Sequence, residues 1–223
     1  LTHPKLRALE GKLVELSVQA LDWTVREVTQ EEATAFWQAH QPAKVTLPPL
    51  DLTVTDLRDV ALVTPEPTGS QTLRDAIRKA VQAFGGKAAH YSILVRTPGV
   101  PIRPAFAVPV AAYHKFMQDN GFFARVDTLL ADPQFQADSA VRDKALQTLR
   151  KDMEKAPVDA GLQAALKARA AADFPGQKLR FRTSTNSEDL DGFPCAGCYE
   201  SHTGDPADWE DVLLAIRKTW ASA

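Results

Sequence analysis

The chain has 223 residues, 44% of them hydrophobic and 24% charged, which is ordinary for a globular protein with a buried core. Its 26 Lys and Arg residues nearly balance 28 Asp and Glu residues, and the formal charge of −2 excludes the basic field that nucleic acid or an anionic membrane would need. No apolar run approaches the roughly 20 residues of a membrane span, and two cysteines are few, so we expect a reducing, cytoplasmic location.

The beginning of the chain predicts two strands and a helix. Apolar and polar residues alternate over residues 14–20, which indicates a half-buried strand, and a second strand is expected from Trp23. Thr29 and Glu32 have the spacing of a capping box at the start of a helix. The side chains expected to face inward on that helix are Ala33, Phe36 and Trp37.

A stretch rich in Pro and Thr, residues 41–70, is typical of a linker or an extended cover. We therefore expect residues 1–70 to be the tail of a preceding domain followed by this linker, and residues 71–223 to form the main domain. The chain begins without Met, and the helical pattern around Trp220 lacks a stop signal, so we also expect a fragment of a longer protein.

The main domain predicts a mixture of helices and short strands. A helix from Thr72 has one apolar face, and Gly85 and Gly86 are expected to stop it. Further expected elements are a strand at 102–108, a helix at 110–119, a mostly helical stretch at 122–173, a strand at 178–182, and a helix opened by Asp205 as cap and Pro206. The fold class predicted is α/β of the α+β type.

Residues 182–203 carry the strongest chemical signal. Arg182 leads a run of hydroxyl residues, the carboxylates Glu188 and Asp189 follow, and Gly197 lies in the loop beyond them. A fixed cation, small hydroxyl donors, accessible backbone N–H groups and orienting acids are what a polyphosphate site requires. Because adjacent residues do not share a face, only one of the two carboxylates is expected to enter such a site.

Lys87 directly follows Gly85 and Gly86 and offers a second cation. The element is too short for a P-loop. Alone, Lys87 could be a solvated loop residue and Arg182 a surface partner of Glu188. Together they indicate two cations that two loops supply to one anion.

Cys195 and Cys198 form a C-x-x-C pattern that could be a redox pair or half of a zinc site. No second ligand pair of zinc spacing exists in the sequence, and the pattern lies in a loop instead of opening a helix after a strand. We therefore favour two small loop residues with incidental thiols. A redox module remains an alternative.

Two ordered stretches resemble motifs of one family. Residues 182–203, R-T-S-T-N-S-E-D-L-D-G-F-P-C-A-G-C-Y-E-S-H-T, are similar to its R-S-S-x-x-x-E-D-L-x-x-x-x-x-A-G signature. Residues 85–109 are similar to its G-G-K-x-A-N-L followed by V-P-x-P-x-G-F. The family is the nucleotide-binding domain shared by phosphoenolpyruvate synthase, pyruvate phosphate dikinase and rifampin phosphotransferase, and the resemblance covers roughly residues 84–223.

The resemblance implies the first subdomain of an ATP-grasp fold with a helical insertion. It also implies ATP as ligand, with Lys87 and Arg182 on the phosphates, Gly197 and Ser201 in loop positions that hold the nucleotide, and Glu188 in support. No catalytic residue and no metal ligand is assigned within this chain, because the Mg²⁺ ligands are expected beyond it. The partners implied are a phosphohistidine domain and an acceptor domain of the same parent chain. A phosphoryl group would pass from ATP to that histidine and then to pyruvate or another acceptor.

Several positions depart from the family pattern. His90 stands where the motif has Asn, Ala105 stands where Gly is usual, and Arg103 replaces another residue. Because half of the ATP site is expected beyond Ala223, we expect weak or no ATP binding and no turnover from this chain alone. The alternative is a degenerate, non-catalytic relative with an interaction or regulatory role.

Overall fold

The computed structural model describes residues 3–40, 46–187 and 197–223. The chain divides into two compact units, Leu1–Val45 and Thr46–Ala223. The first unit consists of α1 (Pro4–Arg7), β1 (Val14–Val18), β2 (Trp23–Glu27) and α2 (Gln30–His40). The two strands form an antiparallel hairpin that pairs Leu16 with Val25 and Val18 with Trp23.

The capping box of α2 is confirmed, whereas the predicted burial in this unit is wrong. Thr29 Oγ1 accepts from the Glu32 amide at 3.1 Å, and Glu32 Oε2 accepts from the Thr29 amide at 2.8 Å. Val18 is 70% exposed and Trp37 59% exposed. The alternating pattern correctly predicts strands, but a two-stranded hairpin has no second layer to cover its apolar face.

The second unit follows with β3 (Arg58–Asp59), a 3₁₀ turn (Val60–Leu62), α3 (Leu73–Arg96), β4 (Phe106–Ala107), α4 (Val110–Asp119), α5 (Phe122–Ala131), α6 (Pro133–Ala137), α7 (Ser139–Met153), α8 (Ala160–Asp173), β5 (Leu179–Arg182), β6 (Ser201–Gly204) and α9 (Trp209–Ala221). β3 pairs with β4 and β5 pairs with β6, both antiparallel. Helices and small antiparallel sheets confirm the α+β class. The ATP-grasp topology stays a prediction.

Part of the Pro-rich stretch belongs to the core of the second unit. Val63 and Thr64 are buried, and the Thr64 hydroxyl donates to the Ala89 carbonyl of α3 at 2.8 Å. Val63 and Thr64 therefore pack on α3, whereas the rest of residues 46–70 is mostly exposed or half-buried. The division of the chain into domains at residue 70 stays a prediction.

Apolar side chains form three clusters in the second unit. The largest lies among α4, α5, α7 and α9, where the buried members include Phe116, Phe122, Leu149, Met153 and Leu213. A second cluster joins α3 to β4 through Phe84 and Ala107. A third holds β5 against α9, with Leu179 on Val212. The second and third clusters fix the two elements that carry Lys87 and Arg182.

Of three predicted boundaries, one is confirmed and two are wrong. The helix that begins at Leu73 is interrupted at Gly85, as the glycine pair predicts, and a second helical segment follows directly and ends at Arg96, so α3 consists of two helical segments joined at a sharp bend. The strand expected at 102–108 is reduced to β4. α9 begins at Trp209 because Asp208 accepts from the Glu210 amide and caps the helix, whereas Asp205 accepts from the Ala207 amide in the preceding turn. None of the helices in the described parts of the chain combines the length and apolarity that a membrane crossing requires.

Candidate functional site

α3 bends at Gly85, which has a left-handed φ of 78°. A Cβ atom at Gly85 would lie 2.1 Å from the carbonyl oxygen of Ser184, far inside van der Waals contact. Only glycine therefore allows the backbone that follows β5 to approach α3 this closely.

Three residues after the bend are hydrogen-bonded to the three residues that follow β5. We call this contact, formed by residues 85–88 and 183–185, the joint. Its hydrogen bonds run from Gly86 N to Thr185 O at 2.8 Å, from Lys87 Nζ to Thr183 O at 3.0 Å, and from Ala88 N to Ser184 Oγ at 3.0 Å. The joint brings together two segments almost a hundred residues apart in sequence.

Lys87 lies on the helical segment after the bend instead of in the solvated loop that the glycine pair suggests. Its side chain is half-buried, and the ammonium group donates to the Thr183 carbonyl. Thr183 directly follows Arg182. The joint therefore holds the Lys87 ammonium group against the residue next to the second predicted cation.

Arg182 ends β5 on the exposed face of the strand. Leu179 and Phe181 pack toward the core, so Arg182 lies on the opposite face, and it pairs across the ladder with Ser201. The surface pairing of Arg182 with Glu188 considered from the sequence stays a prediction, because Glu188 lies outside the described residues. Lys87, Arg182 and Ser201 thus lie on one continuous hydrogen-bonded framework.

Gly197 and Ser201 differ in local structure. Gly197 has a φ of 83° in an exposed turn, and no described atom lies within 4 Å of a Cβ built there. Its backbone conformation, not a close approach to the protein, therefore requires glycine. Ser201 is half-buried and is the first residue of β6, not a loop residue.

Residues at the end of α9 are linked to the joint by hydrogen bonds that pass through Glu200. Thr183 is 7% exposed, and its hydroxyl donates to the Glu200 carbonyl at 3.3 Å. Ser222 Oγ accepts from the Glu200 amide at 3.1 Å and donates to the Thr219 carbonyl at 2.7 Å. The C-terminal residues of α9 therefore stabilise the edge of the β5–β6 ladder that carries Arg182.

The predicted site residue Glu188 and the first cysteine of the C-x-x-C pattern, Cys195, lie outside the described part of the chain. Cys198 is disulfide-bonded, which differs from the expectation of incidental thiols. Within the described residues, no group of three His, Cys, Asp or Glu side chains could hold a metal ion.

The sequence pattern predicts that the hydroxyl residues after Arg182 bind a ligand. It does not predict their hydrogen bonds to other parts of the protein. Thr183 and Ser184 make their hydrogen bonds within the protein, to Glu200 and to the bend of α3. The glycine pair is the signal available in the sequence, because glycines inside a helical pattern mark a close backbone approach as well as a stop. The identity of the approaching segment could not be read from the pattern.

Two clefts lie elsewhere in the second unit. One of about 340 Å³ is lined by Lys167, Ala170, Ala171, Phe174, Pro175, Gly176, Pro206 and Trp209. Another of about 270 Å³ lies beside Asp56, Lys115 and Asp159. Neither cleft includes a predicted site residue.

Lys87, held by a glycine-dependent joint, and the exposed Arg182, which precedes the joint in sequence, define a candidate anion site of the kind found in nucleotide-binding domains. Residues 81–223 match the family described as pyruvate phosphate dikinase, AMP/ATP-binding domain. The match covers more than half of the chain, and the chain belongs to this family.

The chain is similar to a phosphoenolpyruvate synthase from Aeropyrum pernix. The two are 24% identical over 143 residues, which cover 62% of this chain and 17% of that protein. The chain thus spans less than a fifth of the relative's length. No solved structure matches the chain.

Proposed function

We propose that Lys87 and Arg182 bind the phosphate groups of ATP. The observation that carries this proposal is the hydrogen bond from Lys87 Nζ to the Thr183 carbonyl, which holds the Lys87 ammonium group at the backbone of the residue that follows Arg182. Cations fixed in advance bind a polyphosphate with less loss of side-chain entropy than mobile ones. Ser201 lies opposite Arg182 in the β5–β6 ladder, Gly197 in the turn before β6 would help to hold the nucleotide, and Glu188 would support the site.

The proposed reaction of the whole protein is phosphoryl transfer from ATP to a histidine on a separate domain, and from there to pyruvate or another acceptor. Such transfer depends mainly on positioning and on neutralising the phosphate charge. Lys87 and Arg182 would hold the phosphates in place and offset their charge. The histidine and the acceptor belong to other domains of the parent chain.

Mg²⁺ would neutralise further phosphate charge when bound. The described residues do not fit a magnesium site, because they contain no cluster of three suitable ligands. As the family resemblance implies, we expect the metal ligands beyond this chain and assign no step to the metal. Because half of the ATP site is expected there as well, we expect weak ATP binding and no turnover from the 223 residues alone.

Replacing Lys87 with Met and Arg182 with Ala tests the proposal. Each variant loses one charge-assisted hydrogen bond to phosphate, worth about 1.5–3 kcal/mol, so we expect roughly 10- to 100-fold weaker ATP binding. Affinity is measured by NMR titration for the chain and by calorimetry for a protein extended toward the relative's length.

Matched controls are Arg180→Ala and Lys79→Ala. Arg180 lies on the same exposed face of β5, and Lys79 is exposed on the same helix as Lys87. Both should leave ATP affinity within about twofold, because neither lies at the joint. Equal affinities for the wild type and both site variants in the extended protein would rule out this ATP site.

A second candidate function is a non-catalytic relative that binds nucleotide for regulation. It is favoured by His90, which replaces the motif's Asn and contacts a residue of the joint, with Nδ1 2.8 Å from the Gly86 carbonyl oxygen. An extended protein that binds ATP but transfers no phosphoryl group to its own histidine would support this candidate. Restoration of transfer by His90→Asn would assign the loss to that position.

A further inference from the structure

Ser184 inserts its hydroxyl group into the bend of α3. The hydroxyl oxygen accepts from the Ala88 amide at 3.0 Å and donates to the Phe84 carbonyl at 2.7 Å. Residues 84 and 88 are four apart, so in an uninterrupted α-helix that amide would donate directly to that carbonyl. Gly85 is non-helical and separates the two groups, so Ser184 bridges the last carbonyl before the bend and an amide in the first turn after it, the turn that contains Lys87.

A side chain inserted into the helical hydrogen-bond ladder is a recognised cause of a sharp kink. Here the inserted hydroxyl satisfies both backbone groups that the kink separates. Without it, the carbonyl of Phe84 and the amide of Ala88 would lie unpaired in a partly buried position, or would approach each other and straighten the turn. Either change would redirect Lys87.

The hydroxyl group of Ser184 is not available to a ligand as a donor. A serine hydroxyl has one proton, and the Phe84 carbonyl receives it. Any effect of Ser184 on phosphate binding must therefore pass through the residues that it positions.

We propose that Ser184 is a positioning residue that directs Lys87 toward the phosphate chain, an inference that rests on the ATP site proposed above. Its hydroxyl group holds the bend open. The Lys87 ammonium group then reaches Thr183, beside Arg182.

The chain offers a closely matched control in Ser92. This buried serine lies on the same helix, accepts from the Thr64 amide at 3.0 Å and donates to the Ala61 carbonyl at 3.2 Å. Ser92→Ala and Ser184→Ala therefore remove the same two kinds of hydrogen bond. The two substitutions should lower stability by similar amounts. A difference in ATP affinity between the two variants would therefore come from where each serine lies and not from lost stability.

The test measures ATP affinity by NMR titration for Ser184→Ala and Ser92→Ala, each with Lys87 intact and with Lys87→Met. With Lys87 intact, we expect about tenfold weaker binding for Ser184→Ala and a change within about twofold for Ser92→Ala. With Lys87→Met, Ser184→Ala should add no more than about a twofold loss, because the residue through which it acts is already gone.

Two results would overturn the inference while leaving the ATP site standing. One is an equal loss of affinity for both serine variants, which would assign the effect to stability. The other is a full tenfold loss for Ser184→Ala in the Lys87→Met background, which would mean that Ser184 acts without Lys87.

Amide hydrogen exchange without nucleotide separates this inference from the proposed function. Ser184→Ala should speed exchange at Ala88, and unchanged exchange would refute the bridge even if ATP binds. If Lys87→Met leaves wild-type affinity unaltered, the ATP site itself is refuted and the positioning role falls with it.

Discussion

Gly85 and Gly197 share a left-handed backbone and differ in their surroundings. A side chain at Gly85 would overlap the Ser184 backbone, whereas the space around Gly197 contains no described atom within 4 Å. A side chain would be strained by the backbone at both positions. Of the two, only a side chain at Gly85 would also overlap the Ser184 backbone. The two glycines can therefore separate conformational strain from loss of the joint.

We expect Gly197→Ala to lower the free energy of unfolding by about 1–2 kcal/mol, because an L-residue is strained at positive φ. Gly85→Ala should lower it by roughly 3–5 kcal/mol, because overpacking against Ser184 adds to the same strain. Urea unfolding followed by circular dichroism measures both values. Equal losses for the two variants would mean that Ser184 moves away at little cost and that the joint is weak.

The residues at the joint show how far sequence reasoning reaches at this scale. The glycine pair, the lysine after it and the arginine after β5 are visible as motifs, and the structure brings Lys87, Arg182 and Ser201 onto one framework. The bridging role of Ser184 is not visible, because its partners lie 96 and 100 residues away along the chain. Local patterns cannot supply contacts of that separation.

At the level of elements, α3 begins with a capping box that is independent of the joint. Thr72 Oγ1 accepts from the Asp75 amide at 3.2 Å, and Asp75 Oδ2 accepts from the Thr72 amide at 3.0 Å. The hydrogen bonds from the Thr72 hydroxyl and backbone lower the pKa of Asp75 below its usual 3.8. The charged carboxylate thus stabilises the first turn of the helix.

This box predicts a pH-dependent difference between wild type and Asp75→Ala. A carboxylate with a lowered folded pKa contributes stability above its unfolded pKa and loses it as pH falls through the folded pKa. The variant should therefore be less stable than wild type at neutral pH, and the difference should shrink below about pH 3.8. Unfolding free energies measured from pH 7 to pH 2 test this, with Asp127→Ala as an exposed control. A difference that stays constant across this range would contradict the assignment.

The observed limits of helices and strands match the prediction where local sequence signals determine them. They differ from the prediction where tertiary contacts determine them. The limits of α4 match the prediction, since Pro109 precedes it and the turn at Asn120 and Gly121 ends it. α3 is interrupted at its glycine pair as predicted, but a second helical segment follows at once, and the backbone after β5 accepts a hydrogen bond from its Gly86 amide. The strand expected at 102–108 pairs only at β4, because β3 offers it just two partners.

At the level of the whole molecule, the residues that form the joint all belong to the unit Thr46–Ala223, and the family match falls within it. The first unit contributes exposed apolar side chains such as Leu16 and Trp37, which the alternating pattern predicts as partly covered. Periodicity identifies an apolar face but not the surface that covers it. The residues of this chain that we propose to bind ATP therefore all belong to the second unit.

An NMR titration of the isotopically labelled chain with ATP and, separately, with adenosine tests the central claim most directly. We expect ATP to shift the amides of residues 86–88 and 183–185 and the side-chain signals of Lys87 and Arg182, while adenosine leaves them unchanged, because the phosphates are what the two cations bind. Shifts confined to the cleft around Trp209, or the same shifts with adenosine as with ATP, would contradict the claim that the joint holds the phosphate chain.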